Sequence, residues 1–182
     1  MTTANRLTLL RMALIPVFLG VLYTGFSGSR YWALGVFIAA SLTDLLDGYI
    51  ARHYNQITNF GKFMDPLADK VLVVAAMCWF VEEGRMPGWA LAVVLLREFA
   101  VSGMRLVAVE QGRVIAAGWS GKVKTAATMV CLCVMLLVGA PEPGDSAPDL
   151  VAMAGNAVIV VTTLYSGAEY FIKNRDVFKD AD

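Results

Sequence analysis

At 182 residues, with 58% hydrophobic, 16% charged and a mean hydropathy of +0.62, the chain is far more apolar than a water-facing domain of its size. The same hydrophobicity excludes intrinsic disorder, and a net charge of zero leaves no basic field to gather nucleic acid. An integral membrane protein remains, whose three cysteines (Cys78, Cys131 and Cys133) sit in apolar runs and imply neither a disulfide framework nor a metal knuckle.

A bilayer core of about 30 Å needs about 20 mostly apolar residues per spanning helix. Taken in chain order, that measure predicts six spans: Leu7–Tyr23, Tyr31–Tyr49, Pro66–Val81, Trp89–Val107, Val123–Val138 and Leu150–Phe171. The expected connections are Thr24–Arg30, Ile50–Asp65, Glu82–Gly88, Ala108–Lys122 and Gly139–Asp149, the last being rich in proline. The ten-residue alternation of barrel strands is absent, no small-residue cleavage site follows the first run, and no internal repeat is visible. The expected fold class is therefore all-α: a polytopic protein with six transmembrane helices, forming one membrane-embedded domain over residues 1–182.

Orientation follows from lysine and arginine. With the amino terminus cytoplasmic, that side receives eleven of them: Arg6, Arg11, Arg52, Lys62, Lys70, Arg113, Lys122, Lys124, Lys173, Arg175 and Lys179. The opposite side keeps two, Arg30 and Arg85. Both termini and the connections after the second and fourth spans are thus expected in the cytoplasm. Asn5 and Thr8 can cap the first helix, with no chemistry attached. Trp32, Trp79 and Trp89 fall near span ends, where an interfacial aromatic belt is expected.

The second and third spans carry acids at their cytoplasmic ends. Asp44 and Asp47 are spaced i, i+3, and Asp65 and Asp69 are spaced i, i+4, so each pair shares a helical face. Facing lipid, four carboxylates would cost on the order of 10 kcal/mol, so they must meet a cavity, a cation or one another. Converging carboxylates repel unless divalent ions neutralise them, and an all-oxygen donor set suits Mg²⁺ or Mn²⁺. Gly48 and Gly61 either admit a bulky ligand to the backbone or simply permit close helix packing. Arg52 lies within reach of a phosphate held at the acids.

As a string the segment is Asp44-x2-Asp47-Gly48-x2-Ala51-Arg52-x8-Gly61-x3-Asp65-x3-Asp69, and it resembles the signature of the CDP-alcohol phosphotransferase family at all eight fixed positions. That resemblance implies a six-helix, usually dimeric membrane enzyme that joins a CDP-linked alcohol to an acceptor hydroxyl and releases CMP. By position it implies Asp44, Asp47, Asp65 and Asp69 as ligands of two divalent ions, with Asp69 also the general base. It further implies a CDP pocket lined by Asn5, Thr8, Asp44, Gly48, Arg52 and Gly61.

The fourth span holds Arg97 and Arg105, and the loop that follows it reaches Lys122 and Lys124. Arginines inside a span should meet an anion or a cavity. One reading pairs them with Asp44 or Asp69; the other makes them a phosphate site. The strings Arg97-Glu98-Phe99-Ala100-Val101-Ser102-Gly103-Met104-Arg105, Gly121-Lys122-Val123-Lys124-Thr125, Asn5-x-Leu7-Thr8 and Tyr165-Ser166-Gly167 resemble those of bacterial phosphatidylglycerophosphate synthases. That likeness implies CDP-diacylglycerol as donor and glycerol 3-phosphate as acceptor, with Arg97, Arg105, Lys122 and Lys124 as the acceptor's phosphate pocket. It also implies a bacterial cell membrane as the location. Inositol phosphate, serine or phosphatidylglycerol are the alternative acceptors. A cation transporter is the distant alternative, against which the one-sided clustering of the acids argues.

Overall fold

The computed structural model describes residues 3–53, 59–113, 115–116, 118–139 and 149–178, with side chains described outside 3–7, 44–53, 59–67 and 69. The regular structure of the described residues is all helical: α1 (Thr3–Thr24), α2 (Ser29–His53), α3 (Asn59–Glu82), α4 (Gly88–Glu110), α5 (Trp119–Val138), α6 (Leu150–Lys173) and a short 3₁₀ turn over Arg175–Phe178. Each of the six expected spans falls within one helix, and every helix runs further at one end or both. Much of the expected Ile50–Asp65 connection is helical, since α2 continues to His53 and α3 begins at Asn59. Hydropathy stops at the first charged residue, whereas backbone hydrogen bonding carries a helix on through polar residues. Asn5 and Thr8 accordingly lie inside α1 rather than capping it, and Trp119 opens α5 instead of standing in a loop. Residues 140–148 of the expected proline-rich connection lie outside the described residues.

α5 and α6 are each long and apolar enough to cross a membrane, with mean hydropathies of 1.7 and 1.6 over their best windows. The described chain divides into two compact units: residues 1–82 with 133–140, and residues 83–132 with 141–182. α5 belongs to the second through Leu132 and to the first from Cys133.

In the first unit α1 packs on both α2 and α3, and α2 meets α3. Ile15, Phe18 and Leu22 recur at helical spacing on α1, as Ala33, Phe37 and Ala40 do on α2, and all are buried. Phe18 and Phe37 join the two helices with ring centroids 5.7 Å apart. From α3 come Leu72, Ala76, Met77 and Phe80. Trp79 departs from the expected belt: it is buried, at 6% exposure, against Phe80, whereas Trp32 and Trp89 are exposed. Its position on the inward face of α3 overrides its place near a span end. Arg11, counted among the cytoplasmic cations, is fully buried in α1.

In the second unit α4 packs on α6. α4 turns Ala90, Val94, Val101, Met104 and Ala108 inward, and α6 answers with Ala152, Gly155, Ile159, Thr163, Ser166, Gly167 and Tyr170. Small residues along that face of α6 let two backbones come close. α4 ends in a Schellman turn. Gly112 adopts φ 72°, the Gly112 amide donates to the Val109 carbonyl, and the Arg113 amide donates to that of Ala108 at 2.8 Å. Asp149 caps α6 by accepting from the Ala152 amide at 2.9 Å, and the Arg85 Nε donates to the same carboxylate at 2.5 Å. Asn156 donates to the Arg85 carbonyl at 2.8 Å, so one arginine ties the start of α4 to the first turns of α6. Burial pulls the Asp149 carboxyl upward, but the Arg85 hydrogen bond, the Ala152 and Val151 amides and the Arg85 charge outweigh it and hold the group below the ordinary carboxylate range.

Candidate active site

Asp44, Asp47, Gly48, Ala51 and Arg52 fall in the last three turns of α2, and Gly61, Asp65 and Asp69 in the first three turns of α3. Helical backbone through both segments keeps Asp44 and Asp47 about one turn apart, and likewise Asp65 and Asp69. Because α2 and α3 contact each other, the two acidic segments belong to one helix pair. The side chains of these residues, and that of Asn5, lie outside the described residues. Thr8, the remaining residue of the expected CDP pocket, is buried at 1% exposure on α1, in the same unit. No group of three metal-ligating side chains occurs among the described residues. The donor set itself fits a hard divalent cation: four carboxylates on two touching helices, with no cysteine between them in the chain.

The side chains of Arg97, Arg105, Lys122 and Lys124 are all among those described. Arg97 projects from α4 to α6, where its Nη2 donates to the Ser166 Oγ at 2.6 Å. Its Nη1 donates to Glu98 Oε1 at 3.1 Å. The Lys124 ammonium, from α5, donates to that same Glu98 oxygen. Side-chain exposures of 13%, 16% and 9% for Arg97, Glu98 and Lys124 make this a largely buried triad. Ion pairs of this kind hold only where both charges are well hydrogen-bonded. Arg97 Nε is buried and has no hydrogen-bond partner among the described residues.

Gly121 and Gly167 flank the Arg97 side chain. A Cβ at Gly167 would stand 3.2 Å from Arg97 Cγ, tighter than ordinary packing, whereas one at Gly121 would stand 3.6 Å from Nη2. The structure thus brings Arg97 and Lys124 together and places the other two expected phosphate ligands differently. Arg105 Nε donates to the Tyr170 hydroxyl at 3.1 Å, and its guanidinium lies 5.5 Å from the Tyr170 ring centroid. Lys122 is exposed at the start of α5. Sequence reasoning missed Glu98, Ser166, Gly167 and Tyr170 as partners of the arginines. The available signal was a lone carboxylate next to an arginine within a span, which has to be neutralised locally.

The chain matches the family model for CDP-alcohol phosphatidyltransferase over residues 1–165. A Bacillus subtilis protein named CDP-diacylglycerol–glycerol-3-phosphate 3-phosphatidyltransferase is 42% identical over 193 residues, covering 98% of this chain and 97% of its own. An Escherichia coli K12 protein of the same name is 43% identical over 135 residues, 71% of this chain and 74% of its own. A Mycobacterium tuberculosis protein named probable phosphatidylglycerophosphate synthase is 36% identical over 170 residues, 92% of this chain and 78% of its own.

Proposed function

This chain belongs to the CDP-alcohol phosphatidyltransferase family, and from that premise we propose that it transfers the phosphatidyl group of CDP-diacylglycerol to sn-glycerol 3-phosphate, yielding phosphatidylglycerol phosphate and CMP. The observation that carries the reading is likeness along nearly the whole chain to a Bacillus subtilis enzyme of that name. The complete eight-residue acidic string on a contacting pair of helices supports it.

In this proposal the chain is one catalytic domain of six membrane-spanning helices, with both termini and the acidic site at the cytoplasmic face of a bacterial cell membrane. It works as a homodimer. Large apolar side chains left exposed along α4, α5 and α6, among them Leu96, Phe99, Leu106, Val130 and Val161, support a lipid surrounding.

Asp44, Asp47, Asp65 and Asp69 would hold two divalent ions, Mg²⁺ or Mn²⁺. Bound there, such ions supply charge neutralisation for the donor's pyrophosphate oxygens. Asn5, Thr8, Gly48, Arg52 and Gly61 bind the CDP moiety. The two glycines leave its backbone approach open, and Arg52 donates to a phosphate. Asp69 takes the proton of the acceptor hydroxyl as that oxygen bonds to the diacylglycerol-bearing phosphorus. The phosphorus–oxygen bond to CMP breaks in the same displacement. Arg97 and Lys124 bind the acceptor's own phosphate, with Arg105 and Lys122 extending the positive field.

The test is CMP release by purified protein given CDP-diacylglycerol and a panel of alcohols: glycerol 3-phosphate, inositol phosphate, serine and phosphatidylglycerol. Release dependent on glycerol 3-phosphate and on a divalent ion is expected, and preference for another acceptor refutes the assignment. Asp69→Asn is expected to lower turnover at least about a hundredfold, the lower range for a lost general base. Donor binding should survive in that variant.

A further inference from the structure

We infer that Glu98 is a positioning residue for the acceptor: its carboxylate holds Arg97 and Lys124 side by side, so that a phosphate monoester meets a preassembled pair of cations. The inference rests on the acceptor reading above and adds to it a residue with no place in the acidic string or among the phosphate ligands.

The geometry is specific. One oxygen, Glu98 Oε1, receives Arg97 Nη1 at 3.1 Å and also the Lys124 ammonium, so side chains from α4 and α5 share a single acceptor atom. Two cations this close repel, and in a surrounding of low polarity the repulsion is weakly screened. Without an anion between them they would separate. With it, the triad keeps one net positive charge and stays attractive to a phosphate.

Glu98 also leaves donors over. Arg97 gives one Nη to Glu98 and the other to Ser166, while its buried Nε lacks a partner among the described residues. An ammonium carries three N–H bonds, and only one is directed at Glu98. Gly167 backs the Arg97 stem closely, since a Cβ there would stand 3.2 Å from Arg97 Cγ. A pair held in advance lowers the ordering entropy that the ligand must otherwise overcome.

The experiment uses the full chain in detergent with CDP-diacylglycerol saturating and glycerol 3-phosphate varied, comparing wild type, Glu98→Gln and Glu98→Asp. For Glu98→Gln the KM for glycerol 3-phosphate is expected to rise about tenfold or more, while kcat and the KM for CDP-diacylglycerol stay within about threefold. Glu98→Asp, which keeps the charge on a shorter stem, should recover part of the loss. A Glu98→Gln KM within about twofold of wild type overturns the inference. So does a loss shared equally by both substrates with no recovery in Glu98→Asp, because that marks a merely structural role.

A second readout separates this failure from failure of the substrate assignment. Millimolar inorganic phosphate is expected to raise the melting temperature of wild type and not of Glu98→Gln. Wild type that releases no CMP with glycerol 3-phosphate, yet shows this phosphate difference, refutes the acceptor and retains the cation pair. Absence of any phosphate effect in wild type refutes the pair.

Discussion

Gly167 leaves almost no free space beside Arg97. A methyl group at that position would stand 3.2 Å from Arg97 Cγ, and the arginine is held at its tip by Ser166 and Glu98, so it has little freedom to retreat. At Gly121 the nearest atoms would be 3.6 and 3.9 Å away, an ordinary contact. Both glycines face α4 residues from neighbouring helices, and alanine is the better helix former by about 1 kcal/mol. Gly167→Ala should therefore raise the KM for glycerol 3-phosphate severalfold, while Gly121→Ala should leave it within about twofold, as steady-state kinetics would show. Equal KM values for the two variants would remove the steric argument. At this scale the sequence revealed the charged residues and hid their partners. Arg97 and Lys124 stood out as cations near the membrane, but the Lys124–Glu98 bond joins residues 26 apart in the chain, and such a pairing exists only once the chain has folded.

Among the elements, α6 draws on the residue just before it. Asp149 both caps the helix and receives Arg85, whose side chain is only 4% exposed. Asp149→Ala removes cap and counter-charge together and should destabilise by about 2 kcal/mol. Asp149→Asn keeps a capping oxygen and should lose less, by melting temperature in detergent. A carboxyl held below its unfolded value of about 3.9 contributes stability above that value and loses it as pH falls through the folded value. Wild type should therefore weaken on acidification below about pH 4 more steeply than Asp149→Asn does. Helix existence was legible from hydropathy alone for all six elements; helix ends were not. Charged segments such as Ile50–His53 and Asn59–Asp65 continue α2 and α3 because helical hydrogen bonding does not require an apolar residue. That extension matters for the site: Arg52, Gly61 and Asp65, expected in a connection or at its edge, stand on helical backbone instead.

For the whole molecule, the strongest expectation from sequence is orientation. Single cysteines introduced at Lys122 and at Glu83, in a background lacking Cys78, Cys131 and Cys133, should react with an impermeant maleimide from opposite sides of the membrane. Lys122 should react only from the cytoplasmic side. Labelling of both from one face would overturn the six-span topology. The acidic string was readable at this scale because its spacing survives without any knowledge of packing. Side-chain placement along α2 and α3, on which any sharing of a cation depends, was not readable from that spacing.

The face of α6 built from Gly155, Ser166 and Gly167 has a practical consequence. A seam made by close backbones and short hydrogen bonds draws its strength from proximity, not from the exclusion of water. Replacing lipid with a micelle changes what surrounds α4 and α6 while leaving the forces between them nearly untouched. The grip on a phosphorylated alcohol should thus outlast extraction from the bilayer.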